Sequence, residues 1–302
     1  MASIRPRLRP SIVSIVGYDE RMRVDAVHFG TPSPTATIVL ALGDPVDIGW
    51  HGEDTSDRRA GLAAGLHLTP TLIRTHGAQR GVHISLTPSG VRALLGMPAS
   101  ELACRMTDLD AVAPELSRCR ARMEEMEDWD SRFALLQDAL EAMLTSREPL
   151  DGVDPFVARC WDLLLASGGR MSIAALSEQT GTSRRTVSER FRRELGLSPK
   201  QVGRVMRFSH SHALWEVLRQ RAAADRHRIK FGASGRMLVD GAQGSLEGAR
   251  RSPVSLADLA VICGYSDHAH LTREWRALSG QAPSAWETFP ILQASPGRGP
   301  RS

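Results

Sequence analysis

Residues Ser255–Pro283 read SLADLAVICGYSDHAHLTREWRALSGQAP, and an earlier stretch, Ser172–Pro199, reads SIAALSEQTGTSRRTVSERFRRELGLSP. Laid over one another, they repeat. Ile173 matches Leu256, Leu176 matches Leu259 and Gly181 matches Gly264. After one extra residue in the second turn, Val187 matches Leu271, Phe191 matches Trp275, Gly196 matches Gly280 and Pro199 matches Pro283. Repetition of a whole apolar-glycine-apolar pattern is far more specific than any single match. Each copy opens on a serine suited to cap a helix, and the glycine supplies the left-handed turn that ends it. A short turn follows, and Ser183 or Ser266 is placed to cap a second helix. On that helix Val187 and Phe191, or Leu271 and Trp275, lie four apart and point back onto the first.

This is the pattern of a helix-turn-helix, whose second helix normally lies in a DNA major groove. The predicted core of the pair is Ile173, Leu176, Val187 and Phe191 in one copy, and Leu256, Leu259, Leu271 and Trp275 in the other. On this reading Trp275 is the partner of Phe191 in the core. The outward face of the second helix carries Arg184, Arg185, Ser188, Glu189 and Arg192 in the first copy. In the second it carries His268, Ala269, His270, Thr272 and Arg273. Arg pairs bidentately with guanine, and Ser or Thr reaches a base edge or a phosphate. Charged residues at this spacing are also ordinary on the solvated face of a helical bundle. Read alone, His268-Ala-His270 suggests a metal site. In the opening turn of a recognition helix the two rings read better as groove-facing donors and acceptors, and DNA affinity is then expected to rise modestly towards pH 6.

Ile173 to Glu287 resembles the AraC/XylS-type DNA-binding domain, in TSRRTVSERFRRELGLSP, GYSDHAHLTREWRALSGQAP and the linking helix RVMRFSHSHALWEVL. The resemblance implies two helix-turn-helix units joined by a long helix, with both second helices entering successive major-groove segments. It implies Arg185, Ser188 and Glu189, then His268, Ala269, His270 and Arg273, as base readers, with Arg207 and Phe208 at the family's Arg-Leu position. The sequence departs from the family at Val202, where an aromatic is usual. It departs again at Arg219–Ser252, where the family has a short connection. That insertion is rich in Gly, Ala and Arg and poor in large apolar residues, so a disordered or weakly helical loop is expected. It is either a tolerated surface insertion or a basic tether to phosphates.

Charge is divided along the chain. Up to Leu150 there are 16 Arg against 20 acidic residues, and from Asp151 onward 22 basic against 14 acidic. A basic half suits a polyanion. An arginine-rich composition would give the same high pI, since Lys200 and Lys230 are the only lysines. No apolar run is long enough to span a membrane, and the four scattered cysteines fit reduced thiols in a cytoplasm.

The first hundred residues read as strands and turns. TATIVLALGD (Thr35–Asp44) and RGVHISLTPSG (Arg80–Gly90) alternate β-branched residues between Gly, Pro and Asp boundaries. After Pro98 the texture becomes helical, with Phe133, Leu136, Leu140 and Leu144 on one stripe. REPLDGVDP (Arg147–Pro155) is the natural linker, and VARCWDLLLASGG a short helix closed by a Gly pair. Arg9–Ser146 resembles, more weakly, the sensor regions of some AraC-type regulators. That implies a small β-barrel-like or cupin-like domain followed by helices that often dimerise. His28, His51, His67, His76 and His83 invite a cupin metal site, but no His-x-His falls on a strand and no carboxylate follows at ligand spacing, so they read as scattered surface histidines. His210 and His212 lie on a predicted helix, where i and i+2 point apart. No nucleophile–base set or Gly-rich phosphate loop emerges.

The expected fold class is α+β: an N-terminal β-barrel or cupin-like domain with C-terminal helices (1–150), then an all-α domain of two helix-turn-helix units joined by a long helix (151–290, with an insertion at 219–252), and a disordered tail (291–302). The function this implies is a one-component, cytoplasmic transcription regulator that is not an enzyme and uses no cofactor. Its expected partners are double-stranded DNA, a small-molecule effector, a second copy of the chain and RNA polymerase. The alternative is a metal-dependent cupin-like enzyme or repair protein targeted to DNA by its helical domain.

Overall fold

A computed structural model describes residues 2–146, 152–228, 230–231, 237–238 and 255–286. The fold is α+β, as expected, with strands first and helices after. The strands are β1 (Ile12–Arg21), β2 (Val27–Gly30), β3 (Ala36–Ala41), β4 (Val46–Trp50), β5 (Asp57–Arg59), β6 (Gly61–Ala64), β7 (Thr71–Arg74), β8 (Ala78–Leu86) and β9 (Met106–Asp108). They make a five-stranded sheet of order β1-β8-β3-β6-β9 and a four-stranded sheet of order β2-β7-β4-β5. Every pairing is antiparallel. The β-barrel-like or cupin-like domain expected here is built as two antiparallel sheets that do not close on each other.

Strand periodicity decides what each sheet face touches. Along β3, Ala36, Ile38 and Leu40 enter the main core, and so do Val82, Ile84 and Leu86 of β8. The alternate residues Val39 and Ala41 turn the other way and meet Val46 and Ile48 of β4 and Ile73 of β7. The five-stranded sheet thus has helices on one side and the second sheet on the other. Both faces are covered.

The helices of this half are α1 (Pro88–Leu95), the single turn α2 (Leu109–Val112), α3 (Pro114–Glu124) and α4 (Trp129–Ser146). Thr87 caps α1 by accepting from the Gly90 amide, and Gly96 closes it at φ 70°. The stripe foreseen on α4 faces inward, with Leu136 and Leu140 fully buried and Phe133 and Leu144 packed beside them. Gly17 of β1 makes room for α4. A Cβ there would lie 2.5 Å from the Trp129 ring and 2.9 Å from that of Phe133.

The second half contains α5 (Pro155–Ala166), α6 (Ile173–Thr180), α7 (Arg184–Leu195), α8 (Pro199–Arg228), α9 (Leu256–Ile262) and α10 (His268–Ser279). As expected, α5 is followed by a glycine pair, Gly168 and Gly169, both at positive φ. Helix α8 runs to Arg228, so the start of the segment expected to be a disordered or weakly helical loop is helical, and Arg219–Arg228 has no Gly or Pro to stop it. Lys230–Phe231 then pairs with Met237–Leu238. The rest of the 219–252 insertion, most of the 147–155 linker and the 291–302 tail lie outside the described residues.

Two apolar clusters serve this half, and they are unequal. The core of α6 and α7 (Leu176, Val187, Phe191 and Leu195) is continuous with the core of the sheet domain. The core of α9 and α10 is a separate cluster of Leu259, Leu271, Trp275 and Leu278 with Phe208 of α8. Trp275 and Phe191 therefore do not share a core. Repeat symmetry relates their positions, but each packs against a different neighbour.

Candidate nucleic-acid interface and interdomain cavity

Local capping builds the second helix of each unit, the candidate reading helices. In the first unit Ser172 accepts from the Ala175 amide at 3.1 Å, and Ser183 accepts from Thr186 at 3.1 Å. Gly181 (φ 63°) provides the left-handed residue between the helices. In the second unit Ser255 and Asp258 form a reciprocal capping box, and Gly264 takes φ 76°. The cap of α10 is Asp267, whose carboxylate accepts from the His270 amide at 2.6 Å, and not Ser266. An aspartate at a helix N-terminus also answers the helix dipole, and this amide and the neighbouring Ser266 hydroxyl hold its pKa below the usual carboxylate range. Of the eight predicted core residues, six are fully buried, whereas Ile173 and Leu256 at the helix starts are only half-buried.

On α7 the predicted readers Arg184, Arg185, Glu189 and Arg192 are exposed and Ser188 is half-buried. Arg185 donates to Glu189 at 2.7 Å, and the Ser188 hydroxyl donates back to the Arg184 carbonyl at 2.9 Å. On α10, His268, Ala269 and Arg273 are exposed. His270 is folded back instead. Its Nδ1 accepts from the Ser266 amide at 3.3 Å, and its ring stands edge-on to Tyr265 at 5.3 Å. Thr272 is half-buried with its hydroxyl shielded. The outward surface that the predicted readers form on α10 is therefore narrower than the sequence suggested, and Arg273 is the arginine among them.

The far ends of both helices meet the sheet domain. Behind α7, Arg92 of α1 grips the buried Glu194 with Nε–Oε1 2.5 Å and Nη2–Oε2 2.8 Å, a bidentate pair. Ser100 donates to the Arg193 carbonyl at 2.8 Å. At the end of α10, Gly280 lies so close to Phe29 that a Cβ would approach its ring to 2.7 Å. Arg204 of α8 donates to Glu274 of α10 at 2.6 Å, tying that helix to the linker.

Between the sheet domain and α8 is a cavity of about 110 Å³. Its walls include Tyr18, His28 and His83 from the sheets, His67 from the β6–β7 connection, and Phe208, Ser209 and His212 from α8. Three histidines expected on the surface are here. His28 and His83 are buried and His67 half-buried, whereas His51 and His76 lie outside the lining. The signal was present in the alternation Val82-His83-Ile84-Ser85-Leu86, which sends His83 and Ser85 to one face. That face is covered by the second sheet and not by water. Burial pushes His28, His83 and His212 down to about 4, so the rings are neutral near pH 7. His67 is lowered by burial as well, and donates to the Thr69 carbonyl at 2.7 Å. His210, two residues before His212, instead packs by Gly168, so the pair does point apart. Among the described residues no three His, Cys, Asp or Glu side chains converge to hold a metal ion, and no helix is long and apolar enough to cross a membrane.

No protein-family model matches the sequence, and no curated protein matches it. Among solved structures, the chain is similar to ToxT from Vibrio cholerae O395, with 11% identity over 90% of this chain and 96% of that chain and a TM-score of 0.48. It is similar to unsaturated fatty acid-bound ToxT from V. cholerae strain SCE256, with 12% identity over 94% and 96% of the two chains and a TM-score of 0.46. The AraC-like transcriptional activator CuxR aligns at 14% identity over 63% of this chain and 74% of that chain, with a TM-score of 0.28. ToxT and CuxR are both AraC-family transcription regulators.

Proposed function

We propose that the chain is a sequence-specific DNA-binding transcription regulator of the AraC/XylS type, whose sheet domain senses a ligand. The observation that carries this reading is the duplicated helix-turn-helix. Two units with serine-capped first helices and left-handed glycine turns flank one long helix, and each offers an exposed arginine-bearing face. A solvated bundle face would account for the charge but not for its recurrence at matched positions of two capped units.

Ligand and DNA are linked in this reading through α8. Phe208 and His212 line the cavity and also pack on Trp275, with ring centroids 5.4 Å and 5.5 Å apart. Trp275 is the core residue of the second reading helix. A ligand bound more tightly in one setting of α8 than in another shifts the equilibrium between the two settings by that difference in binding free energy, and α10 follows α8. A second copy of the chain would add avidity at paired half-sites, and the cytoplasm is the compartment this function needs.

The test is DNA affinity of the full chain. Arg185→Ala and Arg273→Ala are each expected to cost about 1–3 kcal/mol on the preferred sequence if the arginine contacts a base. Much smaller losses on unrelated DNA should accompany them. Unchanged affinity in both variants would remove the reading.

A further inference from the structure

We infer that the interdomain cavity takes a small uncharged ligand, about one ring in size, that presents hydrogen-bonding groups to His83 and His212, and that it rejects carboxylates and amines. The inference rests on the sensing role proposed above and names the chemistry of what is sensed.

The first observation is the wall itself. Among the described residues that line the cavity, none is Lys, Arg, Asp or Glu. Its polar groups are hydroxyls, such as those of Thr37, Thr71 and Ser209, an amide from Gln79, and imidazoles. Apolar surface from Val39, Ile48, Leu62 and Ile73 completes it. An ion placed there gives up part of its water and gains no counter-charge, which weakens its binding relative to a neutral ligand of the same shape. The histidines do not supply the missing charge, because burial keeps them neutral at physiological pH.

The second observation is independent of charge. His83 Nδ1 on β8 and His212 Nε2 on α8 are buried ring nitrogens without a protein partner. One ring comes from the sheet domain and the other from the long helix that packs on α10. A neutral imidazole holds one donor and one acceptor. A ligand amide or phenol can pair with such rings without bringing a net charge into the cavity. Both rings line the cavity, and buried polar groups are ordinarily satisfied, so a wall holding two such rings favours an occupant that can hydrogen-bond over a purely apolar one.

Size limits the ligand further. At about 110 Å³ the space is close to the roughly 150 Å³ of an apolar cavity that accepts a single benzene. One ring with one or two polar substituents fills it.

The experiment uses three one-ring probes of matched shape and different charge: benzamide, benzoate and benzamidine. Full-length protein with isotope-labelled histidine is titrated with each at about pH 7.5, and the ring resonances are followed by NMR. His83→Gln and His212→Gln assign the two signals, and His210→Gln serves as a control outside the cavity. If His83→Gln fails to fold, His212→Gln assigns its own signal and that signal alone is followed. Benzamide is expected to shift the His83 and His212 signals and to bind at least about tenfold more tightly than either ion. Benzoate or benzamidine binding as well as benzamide would overturn the inference. So would the absence of benzamide binding up to about 10 mM, or binding that leaves the cavity signals unmoved. Failure of the sensing role looks different: benzamide binds as described, yet DNA affinity does not change when it does.

Discussion

Trp275→Ala is expected to destabilise the second helix-turn-helix by about 3–5 kcal/mol while leaving the sheet domain and the first unit folded. The asymmetry follows from the two cores. Trp275 is fully buried in a cluster made of α8, α9, α10, the turn residues Cys263 and Tyr265 between the last two, and Trp286, and its indole donates to the Ser211 hydroxyl at 2.9 Å. Removing it leaves a cavity in a small core with little else to absorb the loss, while the Ser211 hydroxyl keeps its bond to the Phe208 carbonyl at 2.8 Å. Phe191 occupies the matching position of the first unit but belongs to the large cluster shared with the sheet domain. Phe191→Ala should therefore lower the stability of the whole chain. Hydrogen exchange separates the cases. Trp275→Ala should release protection in α9 and α10 alone, and DNA footprinting should retain one half-site. Uniform loss of protection would mean that the two units share one cooperative core.

Acidification from about pH 7 to about pH 5 is expected to cost about 2 kcal/mol for each of His28, His83 and His212. The folded pKa of each is about 4 against 6.5 in the unfolded chain, and burial is the cause. The sign follows from proton uptake. Between these values the unfolded chain binds protons that the folded chain does not, so stability is full above about 6.5 and declines as pH falls to about 4. Carboxylates held low in the fold, such as Asp258 and Asp267, stay ionised through the upper part of that window and so do not contribute to the early loss. Urea unfolding at the two pH values measures it. His212→Gln should flatten the dependence by about one third in the same experiment, and equal stability at pH 7 and pH 5 would contradict neutral burial of these rings.

The helix-turn-helix units were legible because their determinants are local. A serine cap, a glycine at φ 63° or 76° and apolar residues four apart specify each unit within a short run of chain. The same local code misplaced one cap. Ser266 and Asp267 are adjacent and both able to cap, and the extra residue in the second turn moves the role to Asp267. Long-range packing was not legible in this way. Nothing near His83 in sequence says that β4 and β7 cover its face, so a residue with the alternation of a half-exposed strand reads as surface. The pairing of Trp275 with Phe208 and His212, and not with Phe191, likewise depends on where α8 lies between the units. Nor did charge pattern reveal Arg92 and Glu194, which are separated by most of a domain in sequence and meet as a bidentate pair.

The central claim, that both units read DNA, is tested most directly by selecting bound sequences from a random pool of duplexes with the full-length protein. Two recurring motifs about one helical turn apart are predicted, one lost in Arg185→Ala and the other in Arg273→Ala. Recovery of a single motif, or of no preferred sequence, would contradict it.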